Sequence, residues 1–267
     1  MQFKKITSVA NRHIRDAIQI REKRTKFRNA AFLIEGPHLL EMAANGSAQI
    51  SEVFATEAFM SKKEHQGLLR RMASVAGEIF EVTDQVMGRI TDTGTPQGIA
   101  AVVSCEPVKP GELALQHTAL IVVIDGIQDP GNLGTIIRTA DAASADAIFL
   151  LPDTCDAFMP KVIRATAGSI FNIPLISAEP DGLMAWLREK KILLAITAAD
   201  AEKDIYSADL SAPLAIAFGN EARGVSSLLK MAADLSLRIP IFGKAESLNV
   251  ATSAAICLYE VVRQKQG

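Results

Sequence analysis

The second half of the chain alternates short, uninterrupted apolar runs with stretches of helical periodicity. The apolar runs lie at 119–125, 147–151, 192–197, 214–218 and 235–240. Helices are predicted at 132–143, 159–168, 181–190, 223–230 and 248–264. Strands that are apolar on both faces and separated by helices are typical of a parallel sheet covered on both sides. The sequence therefore predicts a parallel-sheet α/β domain over 118–267.

A smaller α/β domain is predicted over 1–106. Its strand-like runs lie at 31–34, 53–56, 78–82 and 98–103, and its helix-like stretches at 8–22, 37–44 and 61–75. The stretch CEPVKPGELALQH (105–117) contains two prolines and a glycine, which favour an irregular connection. We therefore predict a linker at 107–117 between the two domains.

Composition excludes several classes of protein. The 267 residues are 49% hydrophobic, which is enough for the cores of two ordinary domains. No apolar run reaches the ~20 residues that span a bilayer, and no apolar signal segment follows the basic N-terminus. Cys105, Cys155 and Cys257 lie far apart and form no CxxC pair, so neither a disulfide framework nor a metal site is expected. These features indicate a cytoplasmic protein.

Basic residues are concentrated at the N-terminus. Residues 1–28 contain nine Lys or Arg against two acids, a charge of +7. The net charge of the whole chain is −2, so the remaining residues together carry −9. A basic arm on an acidic body favours an anionic polymer such as RNA, and we assign RNA contacts to Arg21, Lys23, Arg24 and Lys26. The alternative is a solvated charged helix face.

The first of three motifs is DGIQDPGNLGTIIRTAD (125–141). It follows the first strand of the larger domain without a GxGxxG or GxxxxGK[ST] pattern, so a standard dinucleotide or phosphate loop is not expected. Asn132 is predicted at the N-cap of the following helix, and Arg138 projects away from its apolar face. By themselves these two residues could be an ordinary cap and a solvated arginine.

The other two motifs also follow strand-like runs. FGNEARGVS (218–226) places Gly219 and Glu221 at the carboxyl end of a strand, where α/β sheets form ligand crevices. IPIFGKAESLNVATSAAICLYEVVRQ (239–264) leads through Ser247 and Asn249 into a helix. Glu221, Ser247 and Asn249 could instead serve only as helix caps.

Together, in this order, the motifs resemble the SpoU (TrmH-like) family of RNA ribose 2'-O-methyltransferases in the SPOUT superfamily. The resemblance implies S-adenosylmethionine as the cofactor. It implies catalytic roles for Asn132, Arg138, Glu221, Ser247 and Asn249, with Glu221 holding Arg138 electrostatically. It implies cofactor contacts by Phe218, Gly219, Ile239, Pro240, Leu248 and Asn249. Because Gly219 has no side chain, the cofactor could approach its backbone closely.

The resemblance also has consequences for architecture. It implies a trefoil knot in the C-terminal domain and a homodimer. In the smaller domain, FLIEGPHLLEMA (32–43) and TPQGIAAVV (95–103) resemble the family's accessory RNA-binding domain, which has an L30e/L7Ae-like fold.

The resulting hypothesis is S-adenosylmethionine-dependent 2'-O-methylation of a ribose in structured RNA. The preceding domain favours ribosomal RNA over tRNA. A non-catalytic RNA-binding protein of the same fold is an alternative, but it would not need the five polar side chains. A small-molecule methyltransferase is a third possibility, and it would leave the basic arm and the accessory domain unexplained.

Overall fold

The computed structural model describes residues 3–22 and 31–266. The chain divides into two compact units. The N-terminal unit consists of Met1–Pro107 and Phe158–Asn172, and the C-terminal unit of Val108–Ala157 and Ile173–Gly267. The chain first passes from the N-terminal unit to the C-terminal unit after Pro107, where the predicted linker begins. The segment 158–172, which the sequence assigned to the larger domain, instead belongs to the N-terminal unit.

The first 107 residues form a small mixed α/β fold. Its elements are β1 (Lys4–Ile6), α1 (Arg12–Glu22), β2 (Phe32–Glu35), α2 (Pro37–Asn45), β3 (Gln49–Thr56), α3 (Glu57–Met60), α4 (Gln66–Val75), β4 (Glu78–Val82), α5 (Asp84–Ile90) and β5 (Ile99–Ser104). The strand order is β1-β4-β3-β5-β2. β1, β4 and β3 are parallel, whereas β5 is antiparallel to both β3 and β2. The expected α/β domain is confirmed, but β1, α3 and α5 were missed because each is too short to show a period.

The rest of the chain contains the predicted alternation of strands and helices. Its elements are β6 (Leu120–Asp125), α6 (Pro130–Ala142), β7 (Ala147–Leu150), α7 (Pro160–Thr166), β8 (Leu175–Ser177), α8 (Pro180–Lys190), β9 (Leu193–Thr197), β10 (Lys203–Asp204), β11 (Leu214–Gly219), α9 (Ser227–Ala232), β12 (Leu235–Arg238) and α10 (Val250–Gln266). All except α7 lie in the C-terminal unit. The short strands β8 and β10 were not predicted.

The segment with α7 completes the core of the N-terminal unit. The ring of Phe32 on β2 lies 4.8 Å from that of Phe158 and 6.2 Å from that of Phe171. Nη1 of Arg164 on α7 lies 2.6 Å from Oδ1 of Asp92. Helical periodicity predicted α7, but a period shows only that one face is buried and not which sheet buries it.

The C-terminal unit contains a seven-stranded sheet in the order β10-β12-β9-β11-β6-β7-β8. Every recorded pairing in this sheet is parallel, which confirms the predicted parallel sheet. β6 and β11 are neighbours, and Asp125 pairs with Gly219 at their carboxyl ends. The loops that carry the first and second motifs therefore start side by side.

No helix among the described residues is both long enough and apolar enough to cross a membrane.

Candidate active site

The first motif forms the beginning of α6. The N-cap is Asp129, whose carboxylate accepts a hydrogen bond from the backbone N–H of Asn132 at 2.9 Å. The sequence placed Asn132 at the cap, and this was wrong because Pro130 is the first helical residue. Asn132 lies in the first helical turn, so its side-chain amide can bond to groups outside the helix.

A chain of hydrogen bonds joins all three motifs. Nδ2 of Asn132 donates to Oε1 of Glu221 at 3.0 Å, and Nδ2 of Asn249 donates to Oδ1 of Asn132 at 2.9 Å. Oδ1 of Asn249 in turn accepts the backbone N–H of Ala251 at 2.9 Å, at the start of α10. Because the Glu221 carboxylate only accepts, it fixes the orientation of the Asn132 amide. The Asn132 amide then fixes that of Asn249.

The Glu221 carboxylate is held by several donors. The backbone N–H groups of Gln128 and Asp129 each donate to it at 3.2 Å. Partial burial acts to raise the pKa of Glu221, but the hydrogen bonds from Asn132 and from the backbone outweigh it, so the pKa lies below its ordinary value of 4.5. Glu221 is therefore an ionised acceptor at neutral pH.

A pH titration should detect this carboxylate in the stability of the fold. The folded pKa is the lower one, so the unfolded chain binds the proton first, and the stabilisation present above pH ~4.5 is lost as the pH falls through the folded pKa. We expect Glu221→Gln to lower the free energy of unfolding at pH 7 but hardly at all at the lowest pH where the fold survives. Chemical denaturation at a series of pH values measures this. The control is Glu202→Gln, at an exposed glutamate of the same unit. A Glu221→Gln effect that is the same at every pH would contradict the assignment.

The loop that carries Glu221 is closed by its own backbone. Asn220 and Gly224 form an antiparallel bridge, with N–H to C=O distances of 3.0 and 2.8 Å. The Asn220 side chain accepts the N–H groups of Ala222 and Arg223 and donates to the Gly126 carbonyl at 2.8 Å. Sequence reasoning missed this role of Asn220, although an asparagine at a strand end is a signal for such a turn.

Gly219 has a structural role that the sequence did not indicate. The sequence suggested that its missing side chain leaves room for a cofactor. A Cβ atom at this position would instead overlap the backbone of Gly224 and Val225. The glycine is therefore needed by the loop of the protein itself, which folds back against the end of β11.

A cleft of about 380 Å³ lies beside this loop, within the C-terminal unit. Its polar lining includes Thr197, Asn220, Glu221, Ser247, Asn249 and Ser253, and its apolar lining includes Leu237, Ile239, Ile241 and Leu248. The volume lies within the ~300–1,000 Å³ range of small-molecule sites. The apolar side chains, with the backbone of Gly219 and Gly224 beside them, suit a flat adenine ring, and the polar side chains suit an amino-acid group. The cleft therefore fits S-adenosylmethionine in size and in chemistry.

The structure brings most of the predicted cofactor residues together. Gly219, Ile239, Leu248 and Asn249 line the cleft, as does the predicted catalytic Ser247. Phe218 is 0% exposed, so only its backbone could contact a ligand. Pro240 is not one of the described residues that line the cleft. Its assignment as a cofactor contact stays a prediction.

Arg138 is separated from this cluster. It is exposed on α6, six residues after Asn132, which corresponds to about 9 Å along the helix axis and a different side of it. Glu221 was expected to hold Arg138 electrostatically, but its recorded donors are Asn132 and the backbone. Within the part of the chain that the structure describes, no hydrogen bond or ion pair of Arg138 is recorded. Its guanidinium is therefore available to an external anion.

Of the four residues assigned to RNA, only Arg21 lies within the described part of the chain. Its guanidinium donates to the carbonyls of Arg89, Ile90 and Thr91 at 3.0, 3.3 and 2.7 Å. These carbonyls end α5, and the Arg21 side chain is only 19% exposed. Arg21 thus caps a helix. Lys23, Arg24 and Lys26 lie outside the described residues.

A cluster of donors that could hold a metal lies in the N-terminal unit. Side-chain nitrogen and oxygen atoms of His13, Glu52 and Glu78 lie within 4.8 Å of one another. Protein groups already contact both carboxylates, because Nδ1 of His13 lies 2.6 Å from Glu52 and Nζ of Lys4 lies 2.7 Å from Glu78. The expectation that the protein needs no metal stays a prediction.

Comparison with known proteins places this geometry in a family. The family model described as the SpoU rRNA Methylase family matches residues 119–259, and that of the MRM3-like substrate binding domain matches 11–101. A 23S rRNA (guanosine(2553)-2'-O)-methyltransferase, RlmP of Bacillus subtilis, is 33% identical, and the match covers 97% of this chain and 99% of the relative.

Solved structures of similar proteins support the same family. An AdoMet-bound rRNA methyltransferase from Sinorhizobium meliloti is 30% identical with a TM-score of 0.88, covering 98% of both chains. The SpoU methyltransferase AviRb from Streptomyces viridochromogenes, in complex with the cofactor AdoMet, is 26% identical with a TM-score of 0.87, covering 96% of this chain and 98% of that one. With a family model that matches more than half of its length, and with the three motifs joined around one cleft, this protein belongs to the SpoU rRNA methylase family.

Proposed function

We propose that the protein transfers a methyl group from S-adenosylmethionine to the 2'-hydroxyl of a ribose in ribosomal RNA. The observation that carries this proposal is the hydrogen-bonded chain Glu221–Asn132–Asn249 at the edge of a cofactor-sized cleft. A protein that only binds RNA has no need for three motif side chains to be oriented around such a cleft. When bound, S-adenosylmethionine supplies a methyl group activated by a positively charged sulfur.

The chain contributes orientation and charge to this reaction. Asn132 and Asn249 are held in fixed orientations, and with Ser247 they present polar groups that can bind a ribose hydroxyl. An arginine is charged at any ordinary pH, so Arg138 is a poor general base. Its free guanidinium is suited to bind the neighbouring phosphate and to stabilise negative charge on the 2'-oxygen.

Ribosomal RNA is the favoured substrate class. The relative from Bacillus subtilis is named as a 23S rRNA methyltransferase and that from Sinorhizobium meliloti as an rRNA methyltransferase, and both match this chain over nearly its whole length, including the N-terminal unit. The cytoplasmic location that the sequence predicts is part of this proposal. The alternative substrate is a tRNA.

Methyl transfer from labelled S-adenosylmethionine tests this function directly. Total rRNA and total tRNA, each free of the modification, are incubated separately with the purified protein. We expect label in rRNA at a ribose 2'-oxygen. Calorimetry should show binding of S-adenosylmethionine and its demethylated product but not of NAD or ATP. Label found only in tRNA would identify tRNA, and not rRNA, as the substrate. Cofactor binding without transfer to either RNA would support the non-catalytic alternative.

The basic arm should provide part of the RNA affinity. Phosphate contacts release counterions, so the logarithm of the binding constant falls with that of the salt concentration by about 0.7 per phosphate on single strands. Replacing Lys23, Arg24 and Lys26 together by Gln should flatten this slope and leave cofactor binding unchanged. Arg21→Gln should lower the melting temperature instead, because it removes the cap on α5.

Three exposed basic residues of the C-terminal unit, Arg188, Lys190 and Lys191, provide a matched control for the arm. Their replacement by Gln removes the same charge, and we expect the slope to stay close to that of the unmodified protein. Equal slopes for the two triple variants would mean that the arm is only a solvated charged segment.

The homodimer and the knot rest on family resemblance. Phe242 is 95% exposed and Tyr259 on α10 is 51% exposed, and a partner subunit would cover such apolar groups. Sedimentation velocity at micromolar concentration should give the mass of two chains, and a concentration-independent monomer would contradict the dimer.

A further inference from the structure

The loop that carries Glu221 is attached at both ends to the carboxyl end of β6. At its start, Asn220 Nδ2 donates to the carbonyl of Gly126 at 2.8 Å. At its end, the backbone N–H of Ser226 donates to Oδ2 of Asp125 at 2.7 Å. Asp125 also pairs with Gly219 across the two strands. The loop 220–226 is therefore fixed on both sides by two consecutive residues, the last residue of β6 and the one that follows it.

The bond to Asp125 is the stronger of the two attachments. A carboxylate that accepts a backbone N–H forms a short, charge-assisted hydrogen bond, about twice as strong as one between neutral groups. Ser226 is the N-cap of α9, and its own side chain makes no capping bond. Asp125 is not among the described residues that line the cleft, so its effect on a ligand would pass through the loop.

We propose that Asp125 is a positioning residue for methyl transfer, acting through the loop 220–226 on Glu221. This rests on the proposed function. Without the bond to Ser226, the far end of the loop loses its attachment to β6, and the bond to Gly126 and the contacts of the Glu221 carboxylate remain. Glu221 then holds the Asn132 amide less firmly, and the orientation of Asn249, which depends on Asn132, becomes less fixed. Loss of this bond should lower kcat more than it lowers the amount of folded protein.

The same bond can be removed from either side. Asp125→Ala removes the acceptor, whereas Ser226→Pro removes the donor at a position whose φ of −61° already suits proline. Each should lower kcat by roughly tenfold, the size expected for one hydrogen bond to a charged group. Asp125→Asn, which keeps an acceptor oxygen, should recover most of the loss. The double variant Asp125→Ala/Ser226→Pro should be no worse than either single one.

A matched control exists in the same sheet. Oδ2 of Asp234 accepts the backbone N–H of Leu194 at 2.8 Å, near the amino end of β9 and therefore at the opposite edge of the sheet. Asp234→Ala removes the same kind of bond, and thermal melting should show a similar loss of stability. Its kcat should stay within twofold of the unmodified protein.

Two readouts separate positioning from a general structural effect. In a Glu221→Ala background, Asp125→Ala should lower kcat by less than twofold, because the group that it positions is already missing. Hydrogen exchange of the 220–226 amides should become faster in Asp125→Ala and stay unchanged in Asp234→Ala. Unchanged exchange, or a full additive loss of kcat in the Glu221→Ala background, would overturn the proposal. The exchange measurement needs no activity, so it tests the attachment even if the unmodified protein methylates no RNA and the proposed function fails.

Discussion

Replacing Arg138 by alanine should lower kcat for methyl transfer by on the order of 10² or more, the loss typical of removing a group that stabilises charge in the transition state. Affinity for S-adenosylmethionine should hardly change, because Arg138 is not among the described residues that line the cleft. The physical reason is that its exposed guanidinium has no recorded partner among the described residues and can therefore bind the RNA.

Two further variants sharpen this test. Arg138→Lys keeps the charge but loses the planar fork that binds phosphate through two bonds, so it should recover only part of the activity. Arg188→Ala removes an exposed arginine at the end of α8 and should leave methyl transfer unchanged. Calorimetry with the cofactor and single-turnover methyl transfer measure binding and chemistry separately. A fully active Arg138→Ala protein would show that this arginine is only a solvated residue of α6.

Replacing Gly219 by valine should destabilise the C-terminal unit and abolish cofactor binding together. The first added carbon already overlaps the backbone of Gly224 and Val225, so the loop must move away from β11. Backbone overlap cannot be relieved by a side-chain rotation, and we expect a loss of about 1–3 kcal/mol in stability. The displaced loop carries Asn220, Glu221 and Gly224, which all line the cleft.

Gly243→Ala is the matched control for this prediction. Gly243 lies in the third motif, and nothing lies within 4 Å of the position of an added Cβ. It should melt like the unmodified protein and bind S-adenosylmethionine with similar affinity. Thermal melting and calorimetry on both variants measure the two effects. If Gly219→Val retained normal stability while losing cofactor affinity, the glycine would be serving the ligand, as the sequence first suggested.

The sequence by itself determined the local elements and the type of sheet. Uninterrupted apolar runs such as 119–125 and 214–218 must be buried on both faces, and helices between them require parallel strands. It also placed Asn132, Glu221 and Asn249 just beyond strands or at the start of helices. Carboxyl ends of parallel strands meet at one edge of a sheet, so these groups were expected near each other.

Only the tertiary structure decided which of these groups touch. Periodicity says that a residue faces the core or the solvent, but a hydrogen bond depends on strand order and loop closure. The Glu221–Asn132–Asn249 chain, the separation of Arg138 and the attachment of Ser226 to Asp125 all join positions far apart in sequence. The same limit explains Arg21, whose charge suggested RNA but whose guanidinium caps α5, almost seventy residues away. The sequence gives the charge of a side chain, whereas the tertiary fold determines which group that side chain contacts.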